Sequence, residues 1–168
     1  MSTFTTRDAI ADDAPVLTDI LNDAIQNGFG IWRENSVTVE EMRSYLPGTH
    51  GTGKLVLRVA IANSIVEGWA SVSLFKPNYG YEHTGECSVY ISDKYQGKGL
   101  GSRLVDDLYV STKRMGSIRT LLACIDSENI SSVELFKKAG YIKHGTLPEV
   151  GCKKGSWRSL HILAKRVS

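Results

Sequence analysis

Three glycines within five residues, placed between a strand pattern and a helix pattern, constrain the fold of this chain more than any other feature. The stretch reads Gln96-Gly-Lys-Gly-Leu-Gly-Ser102. Glycine loses more backbone entropy on folding than any other residue, so a glycine cluster usually marks a close approach of the backbone to something else. The first turn of a helix offers free N–H groups and the positive end of the helix dipole. The segment therefore predicts an anion-binding turn, with the cation of Lys98 beside it.

Hydrophobic periodicity on both sides of this turn predicts one α/β domain over residues 1–168. The expected order of elements is β-α-α-β-β-β-α-β-α-β-β. Asp12 and Asp13 are expected at the cap of the first helix, and Ser131 with Glu134 has the spacing of a capping box for the last helix. The predicted strands are 4–8, 54–62, 65–75, 86–91, 120–125, 141–146 and 156–166, and the predicted helices are 14–27, 38–46, 100–115 and 131–139.

Composition excludes several classes of protein. The net charge is +2, and a nucleic-acid-binding protein usually carries a larger, clustered basic excess. No apolar run approaches the roughly 20 residues of a membrane span. Charged residues interrupt the first twenty positions, which is not typical of a signal peptide. We therefore expect a cytoplasmic protein that binds neither nucleic acid nor membrane.

The three cysteines favour neither a metal site nor a disulfide framework. Cys87, Cys124 and Cys152 are far apart, and the chain has no CxxC pair and no Cys/His pair at zinc spacing. We expect no bound metal.

Two nucleotide-binding interpretations are disfavoured by spacing. The stretch Gly48-Thr-His-Gly-Thr-Gly-Lys54 matches G-x-x-x-x-G-K, but Leu55 stands where a Ser or Thr would bind magnesium, and a strand follows instead of a helix. It is interpreted as a surface loop. The turn at 96–102 has the spacing G-x-G-x-G, whereas a dinucleotide fold needs G-x-G-x-x-G. An NAD-linked oxidoreductase, with Asp126 near the ribose position, remains a disfavoured alternative.

Several motifs resemble those of the GNAT acetyltransferases. Gln96-x-x-Gly99-x-Gly101 after a strand is similar to the acetyl-CoA pyrophosphate motif of that superfamily, and Asn129 with Leu135-Phe-Lys-Lys-Ala-Gly-Tyr141 resembles its Asn and its last helix. Two further segments resemble the phosphinothricin or methionine sulfoximine N-acetyltransferase branch: Glu86-Cys-Ser-Val-Tyr-Ile-Ser92 and Gly151-x-Lys-x-Gly-x-Trp157. The resemblance implies an α/β fold, with a single mixed-sheet GNAT domain, central splayed strands and flanking helices.

The resemblance also implies a reaction and a set of residues for it. Acetyl would pass from acetyl-CoA to the primary amine of a small molecule by direct attack, with Glu86 as general base. Backbone N–H groups of the strand would polarise the acyl carbonyl. Asn129 would contact the pantetheine arm, although a helix cap is an equal alternative. The cofactor-binding set is Val89, Tyr90, Ile91, Gln96, Gly97, Lys98, Gly99, Leu100, Gly101, Ser102, Asn129 and Ser132.

An amino acid or an analogue such as phosphinothricin or methionine sulfoximine is the implied acceptor. Its carboxylate would need a cation, for which Arg33 and Lys76 are candidates. The branch usually has an Arg shortly after the position of Lys76, and this sequence reads Lys76-Pro-Asn-Tyr79 there. The predicted acceptor-binding residues are Phe29, Trp32, Arg33, Lys76, Tyr79 and Tyr81.

One position departs from the superfamily pattern. Phe136 stands where many members have a Tyr that protonates the leaving thiolate, so that role is empty. A non-catalytic acyl-CoA-binding module is therefore an alternative, against which the presence of Glu86 speaks. Tyr141 is expected in the core. The branch often forms homodimers, which implies a homodimer here, with Trp157 a candidate for the dimer seam.

Overall fold

In the described part of the chain, seven strands form a single sheet and four α-helices lie on its two faces. The computed structural model describes residues 4–28, 30–48 and 54–168. The order predicted from sequence is confirmed. The strands are β1 (Thr5–Asp8), β2 (Val56–Ala62), β3 (Ile65–Leu74), β4 (Thr84–Ile91), β5 (Thr120–Asp126), β6 (Ile142–Lys153) and β7 (Ser156–Arg166); the helices are α1 (Ala14–Asn27), α2 (Val39–Ser44), α3 (Leu100–Met115) and α4 (Ile130–Lys138).

The sheet is mixed, and its one parallel pair lies at the centre. The strand order is β1-β2-β3-β4-β5-β7-β6, and β4 runs parallel to β5 while all other neighbours are antiparallel. β4 and β5 pair at only three positions, the last being Glu86 with Leu122. Beyond this position both strands continue, but they diverge and no longer pair. The predicted central splayed strands are confirmed.

Two hydrophobic cores cover the two faces of the sheet. One contains α1 and α2 with Leu57, Val59 and Trp69, and the Trp69 indole N–H donates to the Leu17 carbonyl at 3.2 Å. The other contains α3 and α4 against the opposite face, including Leu104 and Phe136. Because side chains of a strand alternate between faces, β2, β3 and β4 contribute to both cores. The sheet thereby fixes how the two helical layers lie relative to the gap between β4 and β5.

The largest boundary error concerns β6. The sequence predicts a strand that ends at residue 146, whereas β6 extends to Lys153 and pairs with β7 almost throughout. Pro148 indicates a break to a sequence reader. The strand accommodates it with a register irregularity between Leu147 and Gly151.

Asp13 is the N-cap residue of α1, as predicted, whereas Asn129 caps α4 in place of the predicted Ser131. Asp13 lies at the start of α1, but its carboxylate binds Arg7 and accepts the Ile10 N–H at 2.8 Å instead of binding a helix N–H. At α4 the capping side chain is Asn129, which accepts the Ser132 N–H at 3.2 Å. At α1 the Arg7 guanidinium occupies the carboxylate that the capping rule would pair with a helix N–H.

The predicted surface loop at 48–54 falls mostly on residues 49–53, which lie outside the described residues. No helix in the described part of the chain is both long enough and apolar enough to cross a lipid bilayer.

Candidate active site

The divergence of β4 from β5 leaves a row of backbone groups facing a gap. The Phe75 N–H donates to the Thr84 carbonyl at 3.0 Å, and the Ser92 N–H donates to the Glu67 carbonyl at 2.9 Å. Even-numbered residues of β4 therefore bond to β3, and the backbones of odd-numbered residues point towards β5. Past Glu86 they have no strand opposite them. Val89 and Ile91 thus present N–H and C=O groups to the gap.

Tyr90, predicted with these two in the cofactor-binding set, has a different position. It lies opposite Trp69 of β3, so its backbone bonds within the sheet. Its side chain lies on the face covered by α1 and α2, with ring centroids 4.5 Å from Trp69.

At the end of β4 the glycine turn leads into α3 as predicted. Gly97 and Gly99 have φ values of +71° and +87°, a left-handed conformation that favours glycine. A side chain on Gly99 would meet nothing within 4 Å, so its backbone faces open space. The first α3 bond in this region runs from Arg103 to Gly99 at 3.2 Å. Among the described residues, no acceptor is present for the N–H groups of Leu100, Gly101 and Ser102.

The side chains around the turn differ in whether they are buried, hydrogen-bonded or exposed. Leu100 is fully buried, so only its backbone is available to a ligand. The Gln96 amide donates to Asp93 at 2.8 Å, which closes the turn. Lys98 Nζ lies 5.2 Å from the ring centroid of Tyr95, and Lys98 is exposed. The turn thus combines free N–H donors, one exposed cation and no nearby bulk, which fits a pyrophosphate group.

Asn129 is held as a helix cap. Its Oδ1 accepts from the Ser132 N–H and from the Ser131 hydroxyl at 3.1 Å. A side chain on Gly30 would lie 2.7 Å from Asn129 Nδ2, so the amide lies against the segment that follows α1. The Ser132 hydroxyl is half-buried at the start of α4. The structure therefore shows the capping role of Asn129.

A cavity of about 140 Å³ lies on the face of β4 that is covered by α1. Its floor includes Ser88 and Tyr90, which alternate along β4 with the backbone groups that face the gap. Glu86, two residues earlier on the same face, is half-buried. The gap and the cavity therefore adjoin the same strand. The lining residues are Leu21, Ile25, Ile31, Arg33, Val37, Tyr45, Lys54, Trp69, Ser88 and Tyr90.

Glu86 has a thiol neighbour across the gap. Burial, together with the charge of Glu86 and a hydrogen bond to it, raises the pKa of Cys124 to about 12. Cys124 is therefore a neutral thiol at physiological pH, and its S–H can donate to the carboxylate. Glu86 consequently lies beside a proton donor, at the last position where β4 and β5 still pair.

Arg33 lines the cavity, but four of its five N–H donors are already bonded. Its guanidinium binds Glu41 through two bonds, of 2.6 and 3.1 Å, and also donates to the carbonyls of Asn35 and Ser36. The Glu41 carboxylate accepts a further bond from the Tyr45 hydroxyl at 2.9 Å. The hydrogen bond with Arg33 lowers the pKa of Glu41, so this ion pair persists near neutral pH.

Trp32, a predicted acceptor residue, lies between the lining residues Ile31 and Arg33 but does not itself line the cavity. Its indole N–H donates to Asp126 at 2.7 Å, and its ring lies so close to Gly151 that a side chain there would overlap it. Arg158 binds the same buried carboxylate through two bonds. Burial raises the pKa of Asp126, but the bonds from Arg158 and Trp32 outweigh it and leave that pKa below its ordinary value.

The remaining predicted acceptor residues lie elsewhere. Lys76 is exposed and lies 5.2 Å from the ring centroid of Tyr81, and Tyr79 is 88% exposed. All three belong to the loop before β4, and none lines the cavity. Phe29 lies outside the described residues.

The tyrosine expected in the core is there. Phe136 and Tyr141 pack edge to face with centroids 4.9 Å apart, each 3% exposed. The Tyr141 hydroxyl pairs with Cys87 Sγ at 3.3 Å, and burial raises the pKa of both groups, that of Cys87 to about 12. Neither aromatic residue offers a proton to a leaving thiolate. The described residues contain no group of three His, Cys, Asp or Glu side chains that could hold a metal ion.

Comparison with known proteins agrees with this geometry. A family model described as an acetyltransferase (GNAT) domain matches residues 2–162. The chain belongs to the GNAT acetyltransferase family. It is therefore an acetyl-CoA-dependent N-acetyltransferase, as the motifs predicted, and the oxidoreductase alternative is wrong.

Comparison with curated and solved relatives identifies the branch of the family to which the chain is similar. The chain is 34% identical to the L-methionine sulfoximine/L-methionine sulfone acetyltransferase of Pseudomonas paraeruginosa, over 92% of this chain and 89% of that protein. It is 31% identical to the L-amino acid N-acyltransferase MnaT of Escherichia coli, over 88% and 85%. A solved phosphinothricin acetyltransferase from Sinorhizobium meliloti in complex with AcCoA superposes with a TM-score of 0.90 at 28% identity, covering 99% of this chain and 89% of that one. The predicted branch is confirmed.

Sequence reasoning missed most of the cavity lining and the thiol next to Glu86. Tyr45 and Lys54 line the cavity, and Cys124 lies beside Glu86. In the sequence, Lys54 ends a predicted surface loop and begins a predicted strand, and neither pattern indicates a binding role. Only contacts between distant segments identify these residues, and no local pattern in the sequence does.

Proposed function

We propose that this acetyltransferase acts on the amino group of amino acids or their analogues. The observation that carries the proposal is the shared strand β4. Its odd-numbered backbones face the gap, and its even-numbered side chains face the cavity. A thioester in the gap and an amine from the cavity would meet at β4, next to Glu86. Apolar residues from α1, with polar groups of Tyr45, Lys54 and Ser88, suit a small amphipathic acceptor.

In this proposal Glu86 removes the proton of the attacking amine, directly or through one water. Acetyl-CoA, when bound, supplies an activated thioester. The N–H groups of Val89 and Ile91 face the gap, where they can donate to the acyl oxygen. The new C–N bond forms as the C–S bond breaks. The leaving thiolate takes its proton from water, because Phe136 has none and Tyr141 is paired with Cys87.

The glycine turn would hold the pyrophosphate. The free N–H groups of Leu100, Gly101 and Ser102, with the Lys98 cation, support this assignment. Ser102 adds an exposed hydroxyl in the first turn of α3. Gln96 supports the turn through its bond to Asp93, and Asn129 with Ser132 borders the same region from α4.

A panel of amines tests the acceptor. We expect release of free CoA from acetyl-CoA with phosphinothricin, methionine sulfoximine, methionine sulfone or common amino acids. Release with polyamines and an aminoglycoside should be at least about tenfold slower, because the cavity is small and partly apolar. Fastest turnover with a polyamine would contradict the proposal.

Replacing the proposed base tests the mechanism. Glu86→Gln should lower kcat by about 10²-fold or more, since a positioned general base contributes that much. The Kd for acetyl-CoA should stay within about twofold, because Glu86 is remote from the pyrophosphate turn. Glu82→Gln, at an exposed position before β4, is the matched control. If Glu86→Gln has the kcat of the wild type at neutral pH, Glu86 is not the general base.

Two glycines at opposite ends of α3 test the pyrophosphate turn. Gly99 and Gly116 both have positive φ, and a side chain at either would meet nothing within 4 Å. Alanine therefore costs similar strain at both, about 1–2 kcal/mol. Only Gly99→Ala should weaken acetyl-CoA binding, by about tenfold or more in calorimetry, since its methyl obstructs the close approach of phosphate. Equal effects of the two substitutions would show that strain alone is responsible.

We also propose that the chain forms a homodimer through the β6–β7 hairpin and acts in the cytoplasm. β6 is an edge strand, and Ile142, Val150 and Trp157 on this hairpin are 66%, 51% and 66% exposed, as is typical of an interaction surface. The three free cysteines suit a reducing compartment. Light scattering tests the dimer: a monomer mass at micromolar concentration would contradict it.

A further inference from the structure

The cavity contains two cationic side chains, and they differ in what they already bind. Arg33 gives its donors to Glu41 and to two backbone carbonyls. Lys54 has no carboxylate within ion-pair distance in the described ranges 4–28, 30–48 and 54–168. The cation that remains available to a ligand is therefore Lys54.

Lys54 is held in place by the end of α2. Its N–H donates to the Tyr45 carbonyl at 2.8 Å, and its Nζ lies 5.2 Å from the Tyr45 ring centroid. Tyr45 is in turn fixed by its hydroxyl bond to Glu41. The ammonium group is thus positioned over an aromatic face inside the cavity, which costs little further entropy when a ligand binds.

The surroundings of this ammonium favour an anionic ligand. Lys54 is half-buried, and burial lowers its pKa while the charge of Glu86 partly opposes that shift. A cation removed from water without a bound counter-ion is destabilising, and an anion that enters the cavity relieves that cost. Leu21, Ile25 and Val37 supply apolar surface in the same cavity. A ligand with one carboxylate and a short, largely apolar body matches this combination.

We propose that Lys54 binds the carboxylate of the acceptor and makes the enzyme select amino acids over simple amines. The inference rests on the proposed acetylation of amino-acid acceptors. With the carboxylate at Lys54, the α-amino group is one carbon away and can be directed towards β4 and Glu86. Lys54 is thus a specificity-determining residue and takes no part in proton transfer.

The test compares Lys54→Met with wild type on a matched acceptor pair. The pair is L-methionine sulfone and its decarboxylated form, 3-(methylsulfonyl)propan-1-amine; if the amine panel favours another amino acid, that one and its decarboxylated amine replace it. We expect KM for the amino acid to rise about 10- to 100-fold in Lys54→Met, as for loss of a hydrogen bond to a charged group. Its kcat, and kcat/KM for the decarboxylated amine, should change less than about threefold.

Three further variants complete the design. Lys54→Arg keeps the charge and should restore most of the affinity for the amino acid. Lys113→Met, at an exposed position near the end of α3, is the matched control and should behave as wild type. Lys76→Met tests the rival cation in the loop before β4, and should leave the preference for the amino acid unchanged. Thermal unfolding checks that Lys54→Met folds.

Each outcome decides between the proposals. Equal loss on both acceptors in Lys54→Met would show that Lys54 acts through Glu86 and would overturn the inference. A selective loss in Lys76→Met, or none in Lys54→Met, would overturn it as well, while the amino-acid preference of the wild type would leave the proposed function intact. A wild type that acetylates the simple amine but no amino acid would overturn both.

Discussion

The unpaired backbone of β4 is the constraint on which the site depends. Buried N–H and C=O groups must find partners, and those of Val89 and Ile91 lose theirs where β5 turns away after Glu86. An extended ligand that enters the gap supplies the missing partners, in the way an added strand would. The same divergence places the start of α3 at the end of the gap and exposes Glu86 at its beginning. Binding and chemistry are therefore arranged along one strand.

Charge pairing decides which groups around that strand are available. Glu41 occupies Arg33, Asp126 and Glu128 occupy Arg158, and Glu67 accepts from Lys94 at 2.6 Å. These pairs hold the segments that surround the site and leave few free charges within it. Cys124 is kept neutral beside Glu86. The site is consequently defined as much by the ion pairs that close it as by the residues that face the ligand.

The fold and the glycine turn could be predicted from local sequence patterns, whereas the cavity depends on contacts between distant segments. The order of elements follows from local periodicity, and the anion-binding turn follows from glycines whose positive φ is a local requirement. The gap was expected only from the family resemblance. By contrast, whether Arg33 or Lys54 is free depends on Glu41 and on where the end of α2 packs, which no local pattern encodes. Likewise, the sequence predicts too short a β6 because Pro148 locally disfavours a strand. In the structure, pairing with β7 outweighs this local preference.

The contacts of Trp32 have a consequence for how the molecule assembles. Trp32 meets Asp126 and Gly151, Lys153 donates to the Gly28 carbonyl at 2.7 Å, and the Lys154 N–H donates to Glu34 at 2.7 Å. These contacts join residues about a hundred or more positions apart, so their loops close late in folding. The glycine turn and α3 are adjacent in the chain and need no such closure. A partly unfolded chain would therefore keep the anion-binding turn after the contacts of Trp32 with Asp126 and Gly151 are lost.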